Sequence, residues 1–298
     1  MGLKGKIKIV VILGPTSSGK SLLAVQLAKR FGGEIISADS RQIYKGMDLG
    51  SGKITKKEMD GIPHHLLSIA NPKRNFSAAQ YQKMAEKIII EINQRGHLPI
   101  ICGGSAFYLQ SLTEGLVLPK IRPDWKLRHS LQKKNPEELY KILQKIDPRR
   151  ASQIEGKNLR RLVRAIEIIF KSKKVVPPLK KRGKFNFIKI ALKIKKESLH
   201  QRVQKRILER IKKGMIKETK TLKEKGLSWK RIESFGLEYR WTAQYLQKKI
   251  TKSQMITAIY NDTIKLIKKQ MVWFKKDKKI HWLKNYRPAI TLVKKFLN

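Results

Sequence analysis

The chain is predicted to be an α/β protein with a P-loop-type parallel sheet flanked by helices and a small all-helical insertion domain. Three observations lead there. Short apolar runs alternate with helical patterns through the first third of the sequence, as a parallel sheet requires. A glycine-rich string, Gly14-Pro15-Thr16-Ser17-Ser18-Gly19-Lys20-Ser21, falls between the first apolar run and the first helix. The alternation then stops near Leu118 and resumes at Phe187.

Taken in order, Ile7–Leu13 reads as a buried strand and Lys20–Phe31 as a helix. Glu34–Ile36 is a second strand ending in the polar turn Ser37-Ala38-Asp39-Ser40. A helix spans about Ser77–Arg95, stopped by Gly96, and Leu98–Cys102 is a third strand closed by Gly103-Gly104. Residues 124–171 read as amphipathic helices, with starts at Asn135-Pro136 and Asp147-Pro148, and Lys173–Lys184 is a basic connector. Phe187–Ile194 is the last strand expected, followed by helices to the end. The expected domains are a core of 1–117 with 185–298 and an insertion of 118–184.

A hydrophobic fraction of 41% in 298 residues excludes a disordered chain. The single cysteine, Cys102, excludes a disulfide framework and a cysteine-based zinc site and suits a reducing cytosol. No apolar run approaches the ~18 residues of a membrane span. The apolar start is interrupted by Lys8 and runs into Gly14-Pro15 without a small-residue cleavage site, so no signal peptide is expected. A cytoplasmic protein follows.

Charge is the outlying quantity: 68 Lys+Arg against 22 Asp+Glu, net +46. A lysine-rich genome composition would raise the total but spread it evenly. Instead residues 1–117 carry 16 basic and 8 acidic side chains, 118–184 carry 21 and 6, and 185–298 carry 31 and 8. A polyanion is therefore expected against the later two segments.

The string from Gly14 to Ser21 has the form of a phosphate cradle. Its glycines let backbone N–H groups turn inward toward phosphate oxygens, and the following helix adds positive potential. Lys20 is expected to neutralise a phosphate and the Ser21 hydroxyl to help hold Mg²⁺. Nucleotide chemistry at such a loop usually needs an acid at the end of a neighbouring strand. Leu98–Cys102 runs into Gly103-Gly104-Ser105 instead, and Asp39 is the only carboxylate in a comparable place. Asp39 is thus a metal anchor, as in a kinase of a small metabolite or nucleoside, or a base.

Beyond the cradle, Ser37-Ala-Asp-Ser-Arg-Gln-Ile-Tyr-Lys-Gly-Met-Asp48, Ile62-Pro-His-His-Leu66, Gly103-Gly104-Ser105, Asn158–Glu167 and Lys269–Trp273 occur in order across nearly the whole chain. Together they resemble the tRNA dimethylallyltransferases. The resemblance implies transfer of a prenyl group from dimethylallyl diphosphate to N6 of adenine 37 in the anticodon loop of tRNAs reading codons that begin with U. It implies Asp39 as the base and Ser105, where the family usually has Thr, beside it at the amine. It also implies Ser40, Arg41 and Gln42 at the extruded base and its neighbours, and Arg128, Arg160, Arg161 and Arg164 on tRNA phosphates. Gly14–Ser21 would grip the diphosphate with Mg²⁺, in a monomer.

The residue chemistry agrees with that implication. A diphosphate suits a P-loop, an exocyclic amine needs a proton acceptor as its bond forms, and a base leaves its stack most easily in a single-stranded loop. Free AMP as acceptor would not need the basic segments, and a vestigial cradle on an RNA-binding module would show no chemistry. The C-terminal helix departs from the family: Thr263-Ile264-Lys265 and Ile267-Lys268-Lys269-Gln270 replace arginines with Ile and Lys. Lysine offers a point charge there and not a fork. His64-His65 is expected to be structural, without a carboxylate partner, and Trp125, Trp229, Trp241, Trp273 and Trp282 are expected to pack in cores or interfaces.

Overall fold

The structure, a computed structural model, describes residues 6–119, 121–177 and 182–298. The chain divides into two compact units, Met1–Gly115 with Gly183–Asn298, and Leu116–Arg182. The first is built on a six-stranded sheet, and the second contains only helices among its described residues. The tip of the expected basic connector, 178–181, lies outside the described residues.

Six parallel strands form the sheet: β1 Lys8–Leu13, β2 Gly33–Ala38, β3 His64–His65, β4 Leu98–Gly103, β5 Asn186–Leu192 and β6 Ile280–Leu283. Their order is β3-β2-β4-β1-β5-β6. Alternate residues of β1 serve opposite faces. Ile9, Val11 and Leu13 join a core with Tyr81, Ile89 and Phe274, while Val10 and Ile12 join another with Leu23, Leu27 and Ile190. Burial on both faces is why the central strands are continuous apolar runs and not alternating ones. Each fully buried Ile, Val or Leu contributes about 1.5–3 kcal/mol.

Two expectations need correction. β2 runs on through Ser37 and Ala38, paired with Cys102 and Gly103, so the polar turn starts at Asp39. The chain also does not finish in helices alone, because β6 pairs in parallel with β5 through Lys189↔Ile280 to Leu192↔Leu283. Four residues, Ile-His-Trp-Leu, are too few to show a periodicity, and the strand is defined by the edge it completes.

The sheet places the site. β1, β4 and β2 are neighbours, and their C-terminal ends release Gly14, Gly104 and Asp39 at one edge of the sheet. Loops past the carboxyl ends of adjacent parallel strands form the natural crevice of this architecture.

Candidate active site

The P-loop turns directly into the helix Lys20–Phe31, which has no side-chain cap and no acid in its first turn. Its leading amide groups and dipole therefore remain for an anion. The Ser18 amide donates to the Pro15 carbonyl at 3.3 Å, tightening the curl. The Ser18 hydroxyl is buried without a partner among the described residues. Lys20 folds back to donate from Nζ to the Pro15 carbonyl at 3.2 Å. Desolvation lowers the Lys20 pKa; the charges of Cys102 and Asp39 oppose the shift, and Arg206 and Arg210 add to it. Burial also pushes the Cys102 thiol beside it up to about 11.

Asp39 begins the turn after β2. Its Oδ1 accepts from the Arg41 amide at 2.8 Å and the Gln42 amide at 3.3 Å. The carboxylate therefore caps its own turn through one oxygen, and these bonds leave Oδ2 to act elsewhere. Ser105 stands at the start of the helix Ala106–Thr113, but its hydroxyl does not cap that helix. It accepts from the Ser40 amide at 2.9 Å, joining the β4 and β2 loops. Gly103 permits this approach, since a Cβ there would lie 2.2 Å from the Ala38 carbonyl oxygen. The Gln42 Nε2 donates to the Gly52 carbonyl at 3.1 Å, so its amide is partly engaged inside the protein.

Besides Lys20, further cations approach the cradle from an element that carries no motif. The helix Lys196–Lys212 carries Arg202, Arg206 and Arg210 at successive four-residue intervals, along one face. Arg206 Nη1 donates to the Ser17 hydroxyl at 3.3 Å. Burial, together with neighbouring Arg210, lowers the Arg206 pKa to about 10. Arg210 pairs with the buried Glu238 at 2.7 Å and packs close against Gly52, where a Cβ would meet its Nη2 at 1.9 Å. Arg202 Nη1 lies 3.8 Å from where a Cβ at Gly19 would be. The four-residue spacing was the available sequence signal, but no local motif distinguished it from an ordinary solvated face.

The stretch that departs from the family lies on the long helix Lys252–Lys276, with the helix Arg287–Leu297 still to follow. Lys265, Lys268 and Lys269 are exposed, with Lys265 beside Asp262 at 3.8 Å. Thr263, Ile267 and Gln270 are buried, and Gln270 reaches the P-loop.

In the insertion unit, Arg128 and Arg164 both close on Glu167, whose side chain is fully buried. Arg128 makes a two-pronged contact, 2.8 Å from each oxygen. The Asp124 amide donates to Glu167 Oε1 at 2.7 Å, and Arg164 Nη2 donates to the Ile121 carbonyl at 3.0 Å. Arg160 and Arg161 are exposed on the same helix, Leu159–Ser172. Trp125 corrects the packing expectation: it is 57% exposed, with the Arg128 guanidinium 5.1 Å from its ring centre. The other four tryptophans pack against cores.

His65 also differs from expectation, since its Nε2 lies 2.6 Å from Glu34 across the β2–β3 pair. Burial alone would raise the Glu34 pKa, but hydrogen bonds from Arg95, His97 and His65 outweigh it and hold the group at about 2. The cluster is a structural clasp. Among the described residues no group of three or more His, Cys, Asp or Glu side chains is placed to hold a metal ion. No helix of the described residues is long and apolar enough to cross a membrane.

The family model described as IPP transferase matches residues 42–277, a span that begins after the P-loop and Asp39. A protein of Treponema denticola named tRNA dimethylallyltransferase 2 is 41% identical over 293 residues, covering 95% of this chain and 98% of its own length. The crystal structure of the full-length tRNA isopentenylpyrophosphate transferase from Bacillus halodurans superposes with a TM-score of 0.72 at 32% identity, covering 98% of this chain and 96% of that one. A eukaryotic dimethylallyltransferase, captured acting on tRNA, reaches a TM-score of 0.85 at 27% identity over 98% of this chain and 79% of its own. The family model over residues 42–277, with relatives aligned over 95% and 98% of this chain at 41% and 32% identity, places the chain in the IPP transferase family.

Proposed function

We propose that this protein transfers a dimethylallyl group from dimethylallyl diphosphate to N6 of adenine 37 in the anticodon loop of tRNAs reading codons that begin with U. The observation that carries the reading is the convergence on one sheet edge of a desolvated cationic cradle, a carboxylate with one oxygen to offer and the Ser105 hydroxyl. The cradle suits the diphosphate and the acid suits the amine. In the step, the N6 lone pair forms a bond to C1 of the dimethylallyl group while the C1–O bond breaks. Its electrons leave on the diphosphate, and the N6 proton passes to Asp39 Oδ2. Lys20, Arg206 and the uncapped leading amides of the helix Lys20–Phe31 stabilise the charge of the departing diphosphate. Ser105, accepting from Ser40, keeps its own O–H to donate toward the acceptor nitrogen's surroundings and orient the base.

The residues present fit Mg²⁺ in a particular way. The oxygen donors available, the Ser21 hydroxyl and the buried Ser18 hydroxyl without a partner, suit a hard cation that takes its other ligands from substrate oxygens and water. The ion would add charge neutralisation at the diphosphate. Ser40, Arg41 and Gln42, following Asp39, would meet the extruded base and its neighbours. The insertion, with Arg160 and Arg161 exposed, would take tRNA phosphates, with the protein working as a cytoplasmic monomer.

The test combines labelled dimethylallyl diphosphate, Mg²⁺ and unmodified tRNA, with AMP and ATP in parallel. Label should enter tRNA alone. Asp39→Ala should keep binding of both substrates while kcat falls by roughly 10²-fold or more. Intact turnover at saturation with lost tRNA binding would make Asp39 a positioning group and not the base.

A further inference from the structure

The ladder between β1 and β4 ends at the pair Leu13↔Gly103, so the loops beyond it need another tie. Gln270, reaching in from the helix Lys252–Lys276, supplies one. Its Oε1 accepts from the Thr16 amide at 3.1 Å, and its Nε2 donates to the Gly104 carbonyl at 2.9 Å in a buried bond. The side chain is only 9% exposed. The fit is close, because a Cβ at Gly104 would meet Gln270 Nε2 at 2.7 Å.

A carboxamide presents an acceptor and a donor in one plane. An apolar residue supplies neither, and an ionised acid supplies only the acceptor. Through Gln270 the P-loop backbone is held to Gly104; the next residue, Ser105, takes the Ser40 amide, and Ser40 follows Asp39. The donor side and the acceptor side of the reaction therefore meet in one side chain.

We propose that Gln270 is a positioning residue for the transfer, setting the spacing between the diphosphate cradle and the Ser105–Asp39 pair. The inference rests on the prenyl-transfer reading above. It makes Gln270 important for turnover, because a P-loop free to drift would misplace the reacting carbon relative to the amine even with both substrates bound.

The experiment measures kcat and both KM values for wild type, Gln270→Ala and Gln270→Glu, with thermal melts alongside. Gln270→Ala should lower kcat about tenfold or more with the tRNA KM within about twofold of wild type. Gln270→Glu keeps the acceptor for Thr16, but when ionised it turns an oxygen toward the Gly104 carbonyl; when protonated it restores the donor. Its rate relative to wild type should therefore climb as pH falls, a readout that a purely structural role does not move. Gln270→Ala turnover within about twofold of wild type, or a flat Gln270→Glu ratio across pH, overturns the proposal. Should Gln270→Ala not fold, the Gln270→Glu profile decides alone. Absence of transfer to tRNA by the wild type would instead overturn the parent reading, so the wild type is assayed first.

Discussion

Both units of this protein gather arginines, and the two gatherings are in opposite electrostatic states. In the insertion, Arg128 and Arg164 share Glu167, which is fully buried and also takes the Asp124 amide. In the core, Arg206 has only the Ser17 hydroxyl for a hydrogen bond among the described residues, and its neighbours include Lys20 and Arg210. Glu238 contacts Arg210 directly, while the charges of Glu238, Glu58 and Glu209 reach Arg206 only through space and do not offset its burial. A buried cation costs stability unless an anion accompanies it. Where an internal acid grips both cations directly, the cluster belongs to the fold; where acids act on a cation only from a distance, a direct partner can still arrive. Motif position along a helix cannot make this distinction, and the location of the acid can.

The sharpest way to break the comparison is to remove the internal anion. Glu167→Gln leaves two guanidinium groups without their acid and should destabilise the insertion by about 3 kcal/mol or more, read by calorimetric or denaturant unfolding. The KM for dimethylallyl diphosphate should stay at its wild-type value. The reciprocal change, Arg206→Ala, should raise that KM by about 10²-fold, since a charge-assisted contact to the diphosphate is lost. Its melting temperature should hold or rise, because a half-buried cation without a directly paired acid has been removed. A large drop in melting temperature would show Arg206 to be structural and equate the two clusters.

What could be read beforehand divides along the same physical line. The cradle, Asp39 and the turn to Ser105 are local: a strand end, a few residues and a helix start hold each in place, so sequence neighbours define them. Arg206 and Gln270 work through partners 189 and 254 residues away, and no window of sequence contains both ends of either contact. β6 was hidden for a related reason, being a strand only by virtue of β5. Arg128 and Arg164 were visible as basic residues, yet Glu167, three residues beyond Arg164, was equally visible. Its burial, which turns a surface charge into the centre of the cluster, depends on the packing of the helices around it.

The smallest expected effect tests the exposed remainder of the insertion. Arg160 and Arg161 carry no hydrogen bond from their guanidinium groups among the described residues and face solvent. If they meet tRNA phosphates, each alanine substitution should weaken tRNA binding only a few-fold near physiological salt, because one contact among many is lost. The dependence on salt is the more diagnostic quantity. Each contact removed releases one fewer set of counterions, so the slope of log K against log salt should flatten by about 0.7–0.9 per arginine. Arg128→Ala, by contrast, should lower unfolding stability and leave the slope of the folded fraction unchanged, since that guanidinium is already neutralised by Glu167. A flattened slope from Arg128→Ala, with none from Arg160→Ala or Arg161→Ala, would mean that tRNA displaces Glu167 from its arginine, and that an internal acid does not remove an arginine from the binding surface.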